Sequence, residues 1–414
     1  MRIKEILRIA AFCLLVLLLL VMPLIVGWKA EVSAAEKTLK IGVGNPLTGP
    51  RSSVGIAKKQ GFELAFDKVN GQGGLKIAGD NYKVQLLLED CKGNPDGGAT
   101  AANKLVYDQG VKFLVTCFFD GCIPPFYKVT SEAGGVLLMY QYGELSAALG
   151  GRQWDVGPDK SLFIRLHPMD DEIMLIPPEY LAKTYPNVKT VGLVNLDIPE
   201  WDVLEPYSAS QFPKYGLKLA GRMEKFAVDV VDFHPMVTRM LQYKPDSVYV
   251  LHGPLKHFVL IIKTFRDLGF KGPIFYSSPY DIGLACQAIP NLSDVFGLGV
   301  AMDAPNLPDP IREVVKLGRA RYGKDFVADA LPAYDVAILL FQLLEKANST
   351  DPKIVQDTFE KLTKSGSLQS IYGPAHVGGL KTNGVNRVLV KPVPMCRVMN
   401  GKAEYVNTYT YQIP

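Results

Sequence analysis

The side chains able to do chemistry are few and scattered. Histidine occurs five times, at His167, His234, His252, His257 and His376. Only His252 and His257 lie near one another, and their helical phases differ too much to share one metal. The histidines read as loop or surface residues, with His252 alone where a ligand could touch it. Asp170-Asp171 are adjacent carboxylates, but sequence neighbours do not make an acid–base couple. Gly42-x-Gly44 lacks the third glycine of a dinucleotide turn. Gly44-x4-Gly49 is followed by Pro50-Arg51, where a phosphate loop needs Lys and then Ser or Thr. Neither Gly-x-Ser-x-Gly nor His-Glu-x-x-His occurs. The chain therefore reads as a protein that is not an enzyme, with no metal and no cofactor.

Cysteine and charge place the chain in a compartment. Arg2, Lys4 and Arg8 precede an apolar run over 9–28 that Pro23 and Gly27 interrupt, and Ser33-Ala34-Ala35 follow. That is the layout of a secretory signal over 1–35, with cleavage after Ala34 or Ala35. Cys13 lies inside the apolar core without the small neighbours of a lipid-anchor site. Loss of 1–35 removes four basic and two acidic residues, so the formal charge falls from +4 to +2. Such a balance gives no case for nucleic acid or a polybasic membrane surface. Five cysteines then remain, and an oxidising compartment permits disulfides. Cys91 and Cys117 each follow a predicted strand. Adjacent parallel strands bring such ends together, so Cys91 is expected to bridge to Cys117 or Cys122, and the odd count leaves a thiol over.

The elements that would carry ligand-facing loops alternate strand and helix. Residues 40–44 are an apolar strand, 45–53 a breaker-rich loop, 54–70 a helix that Ser52 or Ser53 can cap, and 82–89 a second strand. A βαβ unit leaves its ligand-facing loops at the carboxyl ends of the strands. Strands at 111–116, 136–140 and 162–166 alternate with helices at 96–109 and 126–133. A second series follows, with strands at 190–195, 217–226, 247–251 and 274–276. Its helices are 171–185, kinked at Pro177-Pro178, then 203–214, interrupted at Pro206, then 233–241 and 255–268. Helices at 309–322 and 333–346 and strands at 385–390, 394–399 and 403–409 complete the chain. Alternation of this kind specifies doubly wound α/β domains.

The run into Pro46-Leu47-Thr48-Gly49-Pro50 resembles the type I periplasmic solute-binding proteins, in particular the branched-chain amino-acid-binding family of ABC transporters. Gly61-Phe62-Glu63-Leu64-Ala65, then Val69-Asn70-Gly71-Gln72-Gly73-Gly74, and Ala101-Ala102-Asn103-Lys104-Leu105-Val106 follow in the family's order. The resemblance covers essentially all of the chain after the leader. It implies two Rossmann-like α/β lobes joined by a three-segment hinge, with 36–166 plus 302–369 forming lobe 1 and 167–301 plus 370–414 forming lobe 2. Ser370-Ile371-Tyr372-Gly373-Pro374 resembles the family's third crossing. Relatives often have a disulfide joining the two loops that hold Cys91 and Cys117. The implied function is periplasmic: capture of a small polar organic solute, an amino acid or related compound, by hinge closure. Delivery would be to the permease and ATPase subunits of an ABC importer, with the membrane met only through the permease. A soluble ligand sensor of the same fold is the alternative.

The resemblance also nominates residues. In lobe 1 these are Phe119, Asp120 and Gly121, and Tyr142, Gly143 and Glu144. In lobe 2 they are Trp201, His252, Tyr280 and Asp281, with Asp281 the nearest candidate for pairing an ammonium group. Relatives place hydroxyls near the α-carboxylate where this chain has Asp120, and a like-charge contact there costs several kcal/mol. Three ligands stay open: a zwitterionic amino acid, a neutral or cationic solute stacked on Phe119, Tyr142 and Trp201, and an aromatic or aliphatic carboxylate.

Overall fold

Strand β1 (Lys37–Asn45) starts exposed and is buried on both faces from Ile41 onward, as a central parallel strand must be. The computed structural model describes residues 37–49, 51–116, 122–141, 162–168, 173–198, 201–277 and 282–411. The leader expected over 1–35 lies outside them. After β1 the chain bends at Gly49, and the Ser52 N–H donates to the Gly49 carbonyl at 3.1 Å. The helix Ser52–Gly71 begins at that turn. Neither serine caps it: Arg51 holds the cap position without a side-chain bond, because the turn already takes up the first N–H.

The first sheet contains β2 (Leu75–Ile77), β3 (Asp80–Asp90), β4 (Phe113–Val115), β5 (Leu137–Tyr140) and β6 (Phe163–Arg165). It also takes in β13 (Leu368–Ser370), β14 (Gly373–Gly378) and β15 (Val388–Val390), in the order β13-β14-β15-β6-β5-β4-β1-β3-β2. Strands β1, β4, β5 and β6 run parallel, with Ile41 opposite Phe113 and Phe113 opposite Leu137. The glycines at 42 and 44 serve packing. A Cβ on Gly44 would stand 2.1 Å from the Phe126 ring, so the helix Ile123–Ala133 can lie on the sheet only over a bare backbone.

The second sheet is β7 (Thr190–Leu196), β8 (Lys218–Leu219), β9 (Glu224–Phe226), β10 (Ser247–Val250), β11 (Ile274–Tyr276), β12 (Val295–Leu298), β16 (Pro392–Met399) and β17 (Lys402–Thr410). Its order is β17-β16-β12-β11-β10-β7-β8, with β9 also on β7. The stretch 217–226, read as one strand, is two, parted at Gly221 with φ +121°. Pro177 and Pro178 do not kink a helix; they lie in the first turn of Ile176–Thr184, where no intrahelical N–H is needed. Pro206 falls likewise in the first turn of Leu204–Gln211.

The third crossing corrects the sequence reading. Residues 370–390, expected in lobe 2, belong to the first sheet: β14 pairs antiparallel with β13 and β15, and β15 pairs parallel with β6. The chain changes sheets at Lys391, between β15 and β16. Gly373, at φ +136°, folds β14 back on β13 in a hairpin. Only pairing across more than two hundred residues decides which sheet receives it. Val300, Ala301 and Met302, on the second crossing, are buried in an apolar core that holds residues from both sheets. Among the described residues no helix is long and apolar enough to cross a membrane.

A buried carboxyl stands before the most apolar helix of the chain's described residues. Asp329 precedes the apolar helix Ala330–Ala347 and makes no side-chain cap bond. Burial pushes its pKa from an ordinary 3.8 to about 6, against the pull of the buried Lys58 ammonium. The folded protein thus holds this proton more tightly than the unfolded chain. The stability that follows is present below pH 3.8 and is lost as pH rises through about 6. Asp329→Asn should therefore stabilise the protein by about 2–3 kcal/mol at pH 8 and by much less at pH 4.5. Urea unfolding at the two pH values measures it; equal shifts at both would contradict the assignment.

Candidate ligand-binding site

The first wall of the site is built where three parallel strands end. Asn45 closes β1, Thr116 follows β4 and Gln141 follows β5, and all three are fully buried. Gln141 Nε2 donates to Asn45 Oδ1 at 2.8 Å and also to the Thr116 carbonyl, a strap across the neighbouring strand ends. Asn45 Nδ2 and Gln141 Oε1 are buried with no bond to a described residue. The strap lies directly before the loops that carry Phe119–Gly121 and Tyr142–Glu144 in sequence. Asp90, at the end of β3, pins the loop after β1. It accepts from the Leu47 N–H at 2.8 Å, the Thr48 hydroxyl at 2.5 Å and the Lys92 N–H at 2.8 Å. Partial burial opposes its ionisation, but the Thr48 hydroxyl and these backbone N–H groups outweigh that and hold its pKa below the usual range.

The second wall repeats the arrangement. Asn195 lies at the end of β7 and is fully buried. Trp201 and His252 stack with ring centroids 4.1 Å apart and planes at 32°. Both are buried, at 4% and 8% exposure, and Trp201 belongs to the apolar cluster of Leu204, Phe212 and Leu251. Trp201 Nε1 is buried without a bond to a described residue. Ser277, which follows β11, donates its hydroxyl to the Leu251 carbonyl.

Where the three crossings meet lies a half-open pocket of about 40 Å³, lined by residues that include His167, Ser277, Gly299, Tyr372, Lys391 and Pro394. The first crossing supplies His167, the second Gly299 and the third Lys391 and Pro394. Gly299 N–H donates to the Pro394 carbonyl at 2.8 Å, tying the second crossing to the third. Lys391 Nζ reaches Asp335 Oδ2 at 2.5 Å, and their side chains are 1% and 0% exposed. The other Asp335 oxygen accepts the Ile371 N–H at 2.8 Å. The Lys391 ammonium also lies 5.4 Å from the Tyr372 ring centroid. His167 is held well below its ordinary pKa, chiefly by burial and then by Lys391, with a smaller push from Lys58.

Of the residues nominated from sequence, Trp201 and His252 are brought into contact. Phe119, Asp120, Gly121, Tyr142, Gly143, Glu144, Tyr280 and Asp281 lie outside the described residues, as does Cys117. The expected bridge from Cys91 to Cys122 is not formed: Cys122 Sγ lies 3.9 Å from the Cys91 backbone carbonyl, and no disulfide joins the two. The reading of the histidines needs correction at one position: His167 and His252 lie in loops, though buried, but His257 is buried in the helix Leu255–Asp267 against Phe226 and Phe233 at 5.6 and 5.7 Å. Sequence reasoning missed the Lys391–Asp335 pair. Its signal was a lone Lys in the otherwise apolar stretch 388–396, where an unpaired charge would be prohibitive.

Two α/β sheets joined by three crossings, with a pocket at the crossings lined from both sheets, define a two-lobed α/β protein. The chain belongs to the periplasmic binding protein family, in its type I, branched-chain amino-acid-binding branch; the profile of the family matches residues 38–389. It is similar to the Leu/Ile/Val-binding protein homolog 2 of Brucella abortus (strain 2308). The two are 26% identical over 340 residues, 81% of this chain and 85% of that protein. Among solved structures it resembles the branched-chain amino acid transporter substrate-binding protein LivJ of Streptococcus pneumoniae in complex with isoleucine. That likeness has a TM-score of 0.67 and 19% identity, over 90% of this chain and 100% of the other. A solute-binding protein of an ABC transporter from Rhodopseudomonas palustris BisB5, in complex with 3,4-dihydroxybenzoic acid, matches with a TM-score of 0.70. Its identity is 18%, over 92% of this chain and 99% of that one.

Proposed function

We propose that this chain is the extracytoplasmic substrate-binding component of an ABC importer and that it captures a small organic solute by closing two lobes over it. The observation that carries this reading is the cavity lined by carboxyl-end residues of both sheets and by all three crossings. A solute held between the loops above that pocket would touch both lobes at once, so it would favour whichever form brings them together. The closed form would dock on the permease, with the ATPase subunits behind it. Support for an amino acid or an aromatic acid as ligand comes from two relatives of the same fold, one solved with isoleucine and one with 3,4-dihydroxybenzoic acid.

In this proposal the loops bearing Phe119–Gly121, Tyr142–Glu144 and Tyr280–Asp281 complete the walls, and the Trp201–His252 stack backs the second. Passage to the periplasm would follow from the leader over 1–35. A thermal-shift screen of branched-chain amino acids, aromatic acids, amines and amides tests the reading. One compound should stabilise clearly, by about 2.7 kcal/mol at a hundred times its Kd. A flat response across all four classes would sink it.

A further inference from the structure

We propose that the ribbon β16–β17 braces the hinge: its near end is bonded back to the first lobe at two points, through Tyr411 and Lys391, so the lobes swing only as far as the ribbon twists. The inference rests on the two-lobed, solute-capturing reading above and names the part of the molecule that limits lobe motion.

β16 and β17 belong to the second sheet, yet the ends that reach the crossings are held by the first lobe. Tyr411, directly after β17, donates its hydroxyl to the Leu389 carbonyl on β15 at 2.5 Å. Its side chain is buried in an apolar cluster with Val390, of the first sheet, and Val393, of the second. On the paired strand, Lys391 directly precedes β16 and is bound to Asp335. Asp335 lies on Ala330–Ala347, the helix packed against Ser52–Gly71 of the first lobe. Pro392 and Pro394 then fix their own φ and keep Lys391 and Val393 extended, so this end of the ribbon is stiff. The Pro394 carbonyl takes the Gly299 N–H at 2.8 Å, which gathers the second crossing into the same knot.

The far end of the ribbon travels with the second lobe. β16 pairs antiparallel with β12, from Leu298 opposite Met395 to Val295 opposite Val398. Between the two ends the ladder slips. Met395 stands opposite Asn407 and Cys396 opposite Tyr405, which leaves Val406 over as a β-bulge. A bulge interrupts the ladder and lets the strand that carries it bend and twist. The ribbon is thus anchored to one lobe at its proline end, carried by the other beyond the bulge, and jointed between. Rotation of the lobes is taken up at that joint unless a tie breaks. The phenol bond is the weaker tie, since parting the buried ion pair strands a charge.

The test measures lobe motion without any solute. Nitroxides on ketone-bearing residues introduced at Lys128 of the first lobe and Lys256 of the second, both exposed, report the distance between lobes by pulsed electron resonance. Tyr411→Phe removes only the hydroxyl and should broaden that distance distribution by about half or more. Lys391→Met with Asp335→Asn, neutral and still able to accept from Ile371, should broaden it further. Tyr322→Phe is the control, because its hydroxyl bond at 3.0 Å runs to Glu63 within the first lobe. Its distribution should match wild type. Should the double variant fail to fold, Tyr411→Phe against this control decides alone. A distribution as narrow in folded Tyr411→Phe as in wild type, or equal broadening by Tyr322→Phe, would overturn the brace while leaving solute capture standing. A flat thermal-shift screen would remove solute capture and leave the distance result to stand or fall by itself.

Discussion

Replacing Lys391 with Met should destabilise the protein by about 3–5 kcal/mol, because it leaves the Asp335 carboxylate buried and uncompensated. Asp335 is 0% exposed, on an apolar helix, and one of its two oxygens would lose its only cationic partner among the described residues. Adding Asp335→Asn to the same chain should recover most of that loss. The neutral pair needs no desolvated charge, and Asn Oδ1 can still accept the Ile371 N–H. Urea unfolding of both single variants and the double variant closes a thermodynamic cycle. Additive losses with no recovery would mean that the two groups do not act as a pair. The result bears on function, since Lys391 is the residue at which the chain leaves the first sheet for the second.

Gly61→Ala should cost about 3 kcal/mol, although alanine in a helix ordinarily gains stability over glycine. Gly61 lies in the helix Ser52–Gly71, against the start of Ala330–Ala347. A Cβ there would stand 2.0 Å from the Ala330 carbonyl oxygen and 3.0 Å from the Tyr334 nitrogen. Both are backbone atoms of a buried helix, so neither can swing aside. The two helices would have to part, loosening the Phe66–Phe341 edge contact at 5.0 Å. Gly71→Ala is the control: the added carbon meets nothing within 4 Å, and the change should be neutral or stabilising by up to about 1 kcal/mol. Equal responses at the two glycines, read by urea unfolding, would refute the close-approach argument.

Local pattern carried the reading of these elements a long way. The apolar run ending at Asn45, the breakers through Gly49 and the periodicity of the following helix placed the first βαβ unit and its ligand-facing loop. Regular alternation repeated that inference along the chain, and the order of short motifs supplied the two-lobed family. Prolines misled in a regular way: Pro177, Pro178 and Pro206 read as interruptions, yet each lies in a first turn, where an absent N–H costs nothing. His257 reads as a loop or surface residue, and only its packing against Phe226 and Phe233 shows it to be buried.

What the amino-acid order determined alone is local: which segments are strands or helices, where they break, and that two series of βα units follow one another. The tertiary structure decided what depends on partners far away in the chain. It placed residues 370–390 in the first sheet through β15 and β6, joined Lys391 to Asp335 across 56 residues, and laid Gln141 over Asn45 across 96. Hydrophobic periodicity reports which face of an element is covered but not what covers it. A buried charge or amide depends on the identity of its neighbour, and that neighbour is known only once the sheets have assembled.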